Sequence, residues 1–169
     1  MAIAAINNMK TIFYSNLSIE IKARAFECYI SSVFLYNCEL WTLSSKATER
    51  IDSFQRKLLR TAVLNTKWPN IAKNVEVYES TKAEPWSRTI CKRQLSWFGH
   101  LTRLPDDTPA KKAFAYAQLA RARPRGRPSL TWLAMMKKRI LEHGLVWEEA
   151  CTLARDRIAW KDFTKRCFA

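Results

Sequence analysis

Apolar residues recur at helical spacing along most of the chain, and no clear stretch alternates with the two-residue period of a half-buried strand. Ser18 is placed to cap a helix running to about Tyr36. Ile21, Ala25, Tyr29 and Val33, with their neighbours Phe26, Ile30 and Phe34, form its apolar stripe. A second helix starts after Ser44, where Ile51, Phe54, Leu58 and Ala62 keep the rhythm while Arg50, Arg56, Lys57 and Arg60 point elsewhere; Trp68-Pro69 ends it. A short helix is expected at about 70–80. Pro85, suited to a first helical turn, opens a long helix reaching Leu104. The run Pro105 to Pro109 predicts a turn and a new helix start, with Thr108 as cap and Pro109 in the first turn.

Residues 121–128, Arg-Ala-Arg-Pro-Arg-Gly-Arg-Pro, suit neither a helix nor a strand interior and predict an extended linker. Ser129 then caps a helix ending near Gly144, and a final helix runs from about Val146 to Lys165. The predicted class is all-α: a bundle of about five to six helices with an extended Arg/Pro linker before the last two. Three parts follow: a helical bundle over 1–104, a turn, short helix and basic linker over 105–128, and a C-terminal helical pair over 129–169.

Composition narrows the function classes. Hydrophobic residues make up 48% and charged ones 26%, a balance that argues against wholesale disorder. The charge is one-sided, with 29 Lys and Arg against 15 Asp and Glu, a net of +14 that makes a polyanion the first partner to consider. Residues 111–169 hold 14 of the basic and only 5 of the acidic groups, so the excess is clustered, as a binding face requires. No apolar run approaches the ~20 residues of a membrane span, so no membrane partner is expected. The opening MAIAAINNMK lacks the features of a signal peptide, which predicts an intracellular location, nucleus or cytoplasm. The five cysteines contain no CxxC pair, and His100 and His143 stand far from any cysteine pair. Neither a disulfide framework, a metal site nor a cofactor is expected.

On the helix opened by Pro85, Arg88, Lys92, Arg93, His100 and Arg103 share an arc with Thr89, Ser96 and Gly99, at ~100° per residue. No acid lies on that arc. Trp86, Ile90, Cys91, Gln94, Trp97, Phe98, Leu101 and Leu104 fill roughly the opposite one. Gly99 leaves room for a close approach by a phosphate strand or by another helix. His100 with Asp106 and Asp107 does not make a catalytic set, because the two carboxylates lie beyond Pro105 in turn chemistry. The same Asp pair lacks the β-hairpin that a polymerase metal box requires. In the linker, Pro124-Arg125-Gly126-Arg127-Pro128 has the core pattern of an AT-hook; minor-groove insertion, generic phosphate contact and a solvated linker all remain open for it.

Blocks in order over about 20–163 resemble the region downstream of the palm in reverse transcriptases of non-LTR retrotransposons, of the jockey-like or RTE-like kind. Leu35 to Leu43, LYNCELWTL, resembles LLYGCETWTL, and Phe54 to Arg60, FQRKLLR, resembles FQRRxLR. Arg93 to Asp107, RQLSWFGHLTRLPDD, is similar to RRLRWLGHVLRMPDD. Arg125 to Pro128 followed by Thr131-Trp132-Leu133 is similar to GRPRKTWLD. GLVWEEA at Gly144 to Ala150 and ARDRIAW at Ala154 to Trp160 are similar to GLTWEEA and AxDRxxW. Asn37 stands where the family usually has Gly, and Asn too accepts positive φ. Fingers, palm and endonuclease domains would lie upstream of Met1.

The resemblance implies a thumb-like bundle and C-terminal region that hold template–primer or element RNA without catalysing by themselves; the parent would be an RNA-directed DNA polymerase. Arg88, Lys92, Arg93, His100 and Arg103 would contact phosphate from one helix, Arg121, Arg123, Arg125 and Arg127 from the linker, aided by Lys137 and Lys138. RNA or an RNA–DNA hybrid is the favoured target, with DNA as the alternative. The rival expectation is a helical interaction module that docks on a polymerase core or self-associates, with Phe34, Trp41 or Trp68 as the docking side chains.

Overall fold

The chain is described by a computed structural model over residues 2–66, 69–119 and 130–168. The fold is all-α, and no strand occurs among the described residues. The helices are α1 Ala2–Asn8, α2 Lys10–Phe13, α3 Ile19–Ala25, α4 Ser32–Phe34, α5 Ser45–Leu58, α6 Asn74–Thr81 and α7 Trp86–Arg103. After them come α8 Pro109–Gln118, α9 Trp132–Glu142, α10 Trp147–Leu153 and α11 Arg157–Arg166. A π-helical turn, Phe26–Ser31, joins α3 to α4, and another, Leu59–Val63, extends α5.

Helices outnumber the five to six expected for several local reasons, one being the π-helical turn Phe26–Ser31, which divides the helix expected from Ser18 to Tyr36. The first residues form α1 and α2, which the sequence pattern did not single out. The expected final helix also breaks at Ala154–Asp156, because Asp156 turns its carboxylate onto the Ile158 and Ala159 N–H groups and starts α11 afresh. Other boundaries follow the sequence more closely. Ser18 caps α3 by accepting from the Ile21 N–H, and Gly144, at φ 81°, lies just past the end of α9. Asn37 does adopt positive φ, at 59°. Thr131 caps α9 by accepting from the Ala134 N–H; Ser129, the expected cap, lies outside the described residues. Thr108 occupies the cap position of α8, yet its hydroxyl donates to the Pro105 carbonyl instead.

Two compact units make up the chain: residues 1–37 with 45–90, and residues 38–44 with 91–169. The division falls inside α7, at Ile90 and Cys91, whereas the sequence pattern places one after Leu104. The reason is that successive stretches of α7 bury their apolar side chains in different cores, Trp86 and Ile90 in the first and Leu95, Phe98 and Leu101 in the second.

In the first unit the core gathers Phe13, Phe26, Ile30, Leu35, Leu59, Val77 and Trp86. The Trp86 ring stacks on Phe34 at 4.2 Å and on Phe26 at 6.0 Å, and its indole N–H donates to the Ser31 hydroxyl over 2.9 Å. Of the expected apolar stripe, Phe26 and Ile30 are buried and Phe34 is half-buried, while Ile21 (52% exposed), Tyr29 (57%) and Val33 (41%) face outward. Gln55, fully buried on α5, bridges helices: its amide donates to the Glu84 carbonyl and accepts from the Trp86 N–H, each at 2.8 Å. Asp52 accepts from the Ser87 N–H and hydroxyl. Residues of α5 therefore satisfy the first donors of α7.

The second unit packs Leu95, Phe98, Phe114, Met136, Ile140, Ala150, Trp160 and Phe163 into one cluster. Gln94, also fully buried, donates to the Cys38 and Trp41 carbonyls at 3.0 and 2.8 Å and accepts from the Arg139 guanidinium. Trp160 donates its indole N–H to the Leu95 carbonyl over 2.9 Å. That approach depends on Gly99. A Cβ there would lie 2.3 Å from Trp160 Cδ1, so the glycine admits another helix to the α7 backbone.

Candidate nucleic-acid interface

The predicted basic arc of α7 is largely engaged by groups its own helix does not carry. Arg88, in the first unit, pairs with Glu84 at 3.1 Å. In the second unit, Arg93 lies 3.9 Å from the Glu39 carboxylate and 4.0 Å from the Cys38 sulfur. Lys92 sits over the Phe168 ring at 5.4 Å, and the exposed His100 rests against Trp97 with ring centroids 5.2 Å apart. Arg103 donates to the Ala154 carbonyl over 2.7 Å, capping the C-terminal end of α10. Acid absent from the arc itself thus arrives from Glu84 and Glu39 in neighbouring segments.

On α9, Lys137 is exposed and its ammonium lies 5.2 Å over the Trp147 ring, while Lys138 pairs with Glu142 at 3.7 Å with 71% of its side chain in solvent. A pair so exposed is worth little and leaves the ammonium open to a stronger anion. Arg121, Arg123, Arg125 and Arg127 lie outside the described residues. So does Trp68. Of the other proposed docking side chains, Phe34 belongs to the aromatic stack around Trp86 and Trp41 is half-buried. Asp106 and Asp107 are exposed in the turn after α7.

Several cations and polar groups that shape the second unit gave little sequence signal. Lys111 reaches from α8 to the Leu101 and Thr102 carbonyls, at 3.3 and 2.6 Å, and closes the end of α7. Arg139 is held by the buried Gln94. Both contacts join residues of different helices, which no single-helix projection displays.

A cavity of about 910 Å³ opens within the second unit between α7, α8 and the start of α9. Trp97, Leu101, Phe114 and Trp132 line it, with Lys137, Thr131 and Gln118 also on its wall. The Trp132 indole is fixed by donating to the Glu39 carbonyl over 2.8 Å. Burial pushes the Cys91 and Cys38 thiols up from their usual range; Glu39 adds to the effect at Cys38, and Arg93 opposes it. Among the described residues no group of three or more His, Cys, Asp or Glu is placed to hold a metal ion. None of the described helices is long and apolar enough to cross a membrane. No family model, curated protein or solved structure matches the chain.

Proposed function

We propose that this chain is a nucleic-acid-holding thumb and C-terminal region of a non-LTR retrotransposon reverse transcriptase, binding template–primer or element RNA without copying it. The observation that carries the reading is the order of those sequence blocks, from Leu35 to Trp160, in one chain of net charge +14. Support comes also from the cations that remain solvent-facing on α9, Lys137 and Lys138, which join the second unit to the Arg-rich residues 121–127 in sequence. Binding of this kind is governed by phosphate contact and counterion release, so it is mostly independent of base sequence and falls with salt.

The test is a salt titration. Replacing Arg121, Arg123, Arg125 and Arg127 together by Ala should lower the slope of log K against log salt by about 3, at ~0.7 per phosphate released from a single strand. Fluorescence anisotropy of a labelled RNA measures it, and an unchanged slope overturns the assignment of the linker.

A second reading has its own observation. Ile21, Tyr29 and Val33 present apolar surface on the segment from α3 to α4, as an interaction module would. A stable oligomer in light scattering, indifferent to added RNA, is the signature of that reading.

A further inference from the structure

From the cavity of the second unit we infer a site for unpaired nucleobases, so that the chain grips single-stranded nucleic acid by its bases as well as its phosphates. This rests on the nucleic-acid reading above and gives it a chemical class of ligand. The cavity, about 910 Å³, falls in the ~300–1,000 Å³ range that buries small organic groups. Aromatic side chains line it, Trp97, Phe114 and Trp132, with Tyr116, 55% exposed, also on the wall. Every base has a π-face, so such walls bind bases with little regard to sequence.

Charge chooses the occupant. Lys137, an exposed ammonium, belongs to the same wall, and His100 lies against the Trp97 ring. An unstacked base entering the cavity brings its phosphate with it, and that negative charge has a cation to meet. A purely apolar helix or lipid chain would leave Lys137 without such a counter-charge. The indole of Trp132 is already anchored on the Glu39 carbonyl, so this wall is held in place before any ligand arrives.

The test compares two labelled strands of about twelve nucleotides, a length within the ~4–16 of known single-strand sites. One is oligouridylate and the other an abasic ribose–phosphate strand of the same length and charge. Oligouridylate should bind about tenfold more tightly at one salt concentration, which corresponds to one stacked base. Ala117→Trp fills the cavity from an exposed position on α8, and Ala113→Leu fills it one turn earlier. Each should erase the preference while leaving the affinity for the abasic strand unchanged. Equal affinities in the unaltered chain overturn the inference, keep the phosphate reading, and leave the cavity to an apolar segment of this chain or of another protein. A preference that survives both fillings overturns it as well, placing the base contact elsewhere. Failure to bind either strand overturns both readings.

Discussion

The two units solve one structural problem with the same pair of residue types. Each buries a tryptophan whose indole donates to a partner, Ser31 for Trp86 and the Leu95 carbonyl for Trp160. Each also buries a glutamine that ties its own helix to the backbone of another segment, Gln55 to Glu84 and Trp86 in the first and Gln94 to Cys38 and Trp41 in the second. Short helices leave many unsatisfied terminal groups, and a buried amide with both donors and acceptors serves several at once. They differ in what surrounds the tryptophan. Trp86 is stacked between Phe34 and Phe26, which makes the first core a closed aromatic sandwich. Trp160 lies against the bare backbone of Gly99, and the second unit keeps an open aromatic cavity beside a helix bearing exposed lysines. The first core is thus filled by aromatic side chains around its tryptophan, while the second unit leaves a cavity between its helices.

The largest expected effect breaks this comparison if the units are one cooperative body. Trp86→Ala removes a fully buried ring and should cost about 3–5 kcal/mol. Native-state hydrogen exchange should show the loss at amides of α3, α5 and α6, with α9 to α11 spared. Gly99→Ala is the converse. Helix propensity favours Ala by ~1 kcal/mol, but the new methyl group meets the Trp160 ring, and overpacking of this kind costs about 1–3 kcal/mol. The loss should fall on α9 to α11. Equal loss of protection in both units from either substitution removes the distinction.

Much of this was legible in the sequence, and the failures share a cause. Helical period, Pro85, Ser18, Asn37 and Gly144 act through the local backbone, and the structure places each where local chemistry requires. Tyr29 and Val33 lie within and after the π-helical turn Phe26–Ser31, which departs from the α-helical period that groups them with the buried Phe26 and Ile30; Ile21, also exposed, lies before that turn. The basic arc of α7 is a projection of one helix and carries no information on the environment of its side chains. Its partners Glu84, Glu39, Phe168 and Ala154 come from outside the helix, and only folding brings them near. Gly99 announced a close approach without saying to what; the answer is an indole.

A smaller effect separates structural cations from available ones. Arg103→Ala should destabilise the second unit by about 1 kcal/mol, since a charged hydrogen bond to the Ala154 carbonyl is lost from a half-buried position. Lys138→Ala should leave stability within ~0.5 kcal/mol while weakening RNA binding, because its pair with Glu142 is exposed. Urea denaturation beside an anisotropy titration measures both. The reverse pattern, with Lys138→Ala destabilising and Arg103→Ala neutral, would remove the division between cations that hold the fold and cations that hold a ligand.

The smallest effect concerns thiols, which divide between the units. Cys28, in the first, is exposed. Cys38, Cys91, Cys151 and Cys167 all belong to the second, and burial raises the pKa of each above the ordinary 9.0. A raised pKa leaves less thiolate near neutrality, and thiolate is the form that alkylates. Iodoacetamide at neutral pH should therefore modify Cys28 first, at least ~10-fold faster than the other four, as peptide mass spectrometry would read. The linkage has a definite sign. Because the folded pKa is the higher one, the stabilisation from keeping these thiols neutral is complete below the unfolded pKa and is lost as pH rises past it. Alkaline conditions should consequently erode the second unit's thiol contribution, and early alkylation of Cys91 at neutral pH would mean that its core opens more readily than the packing around Trp160 implies.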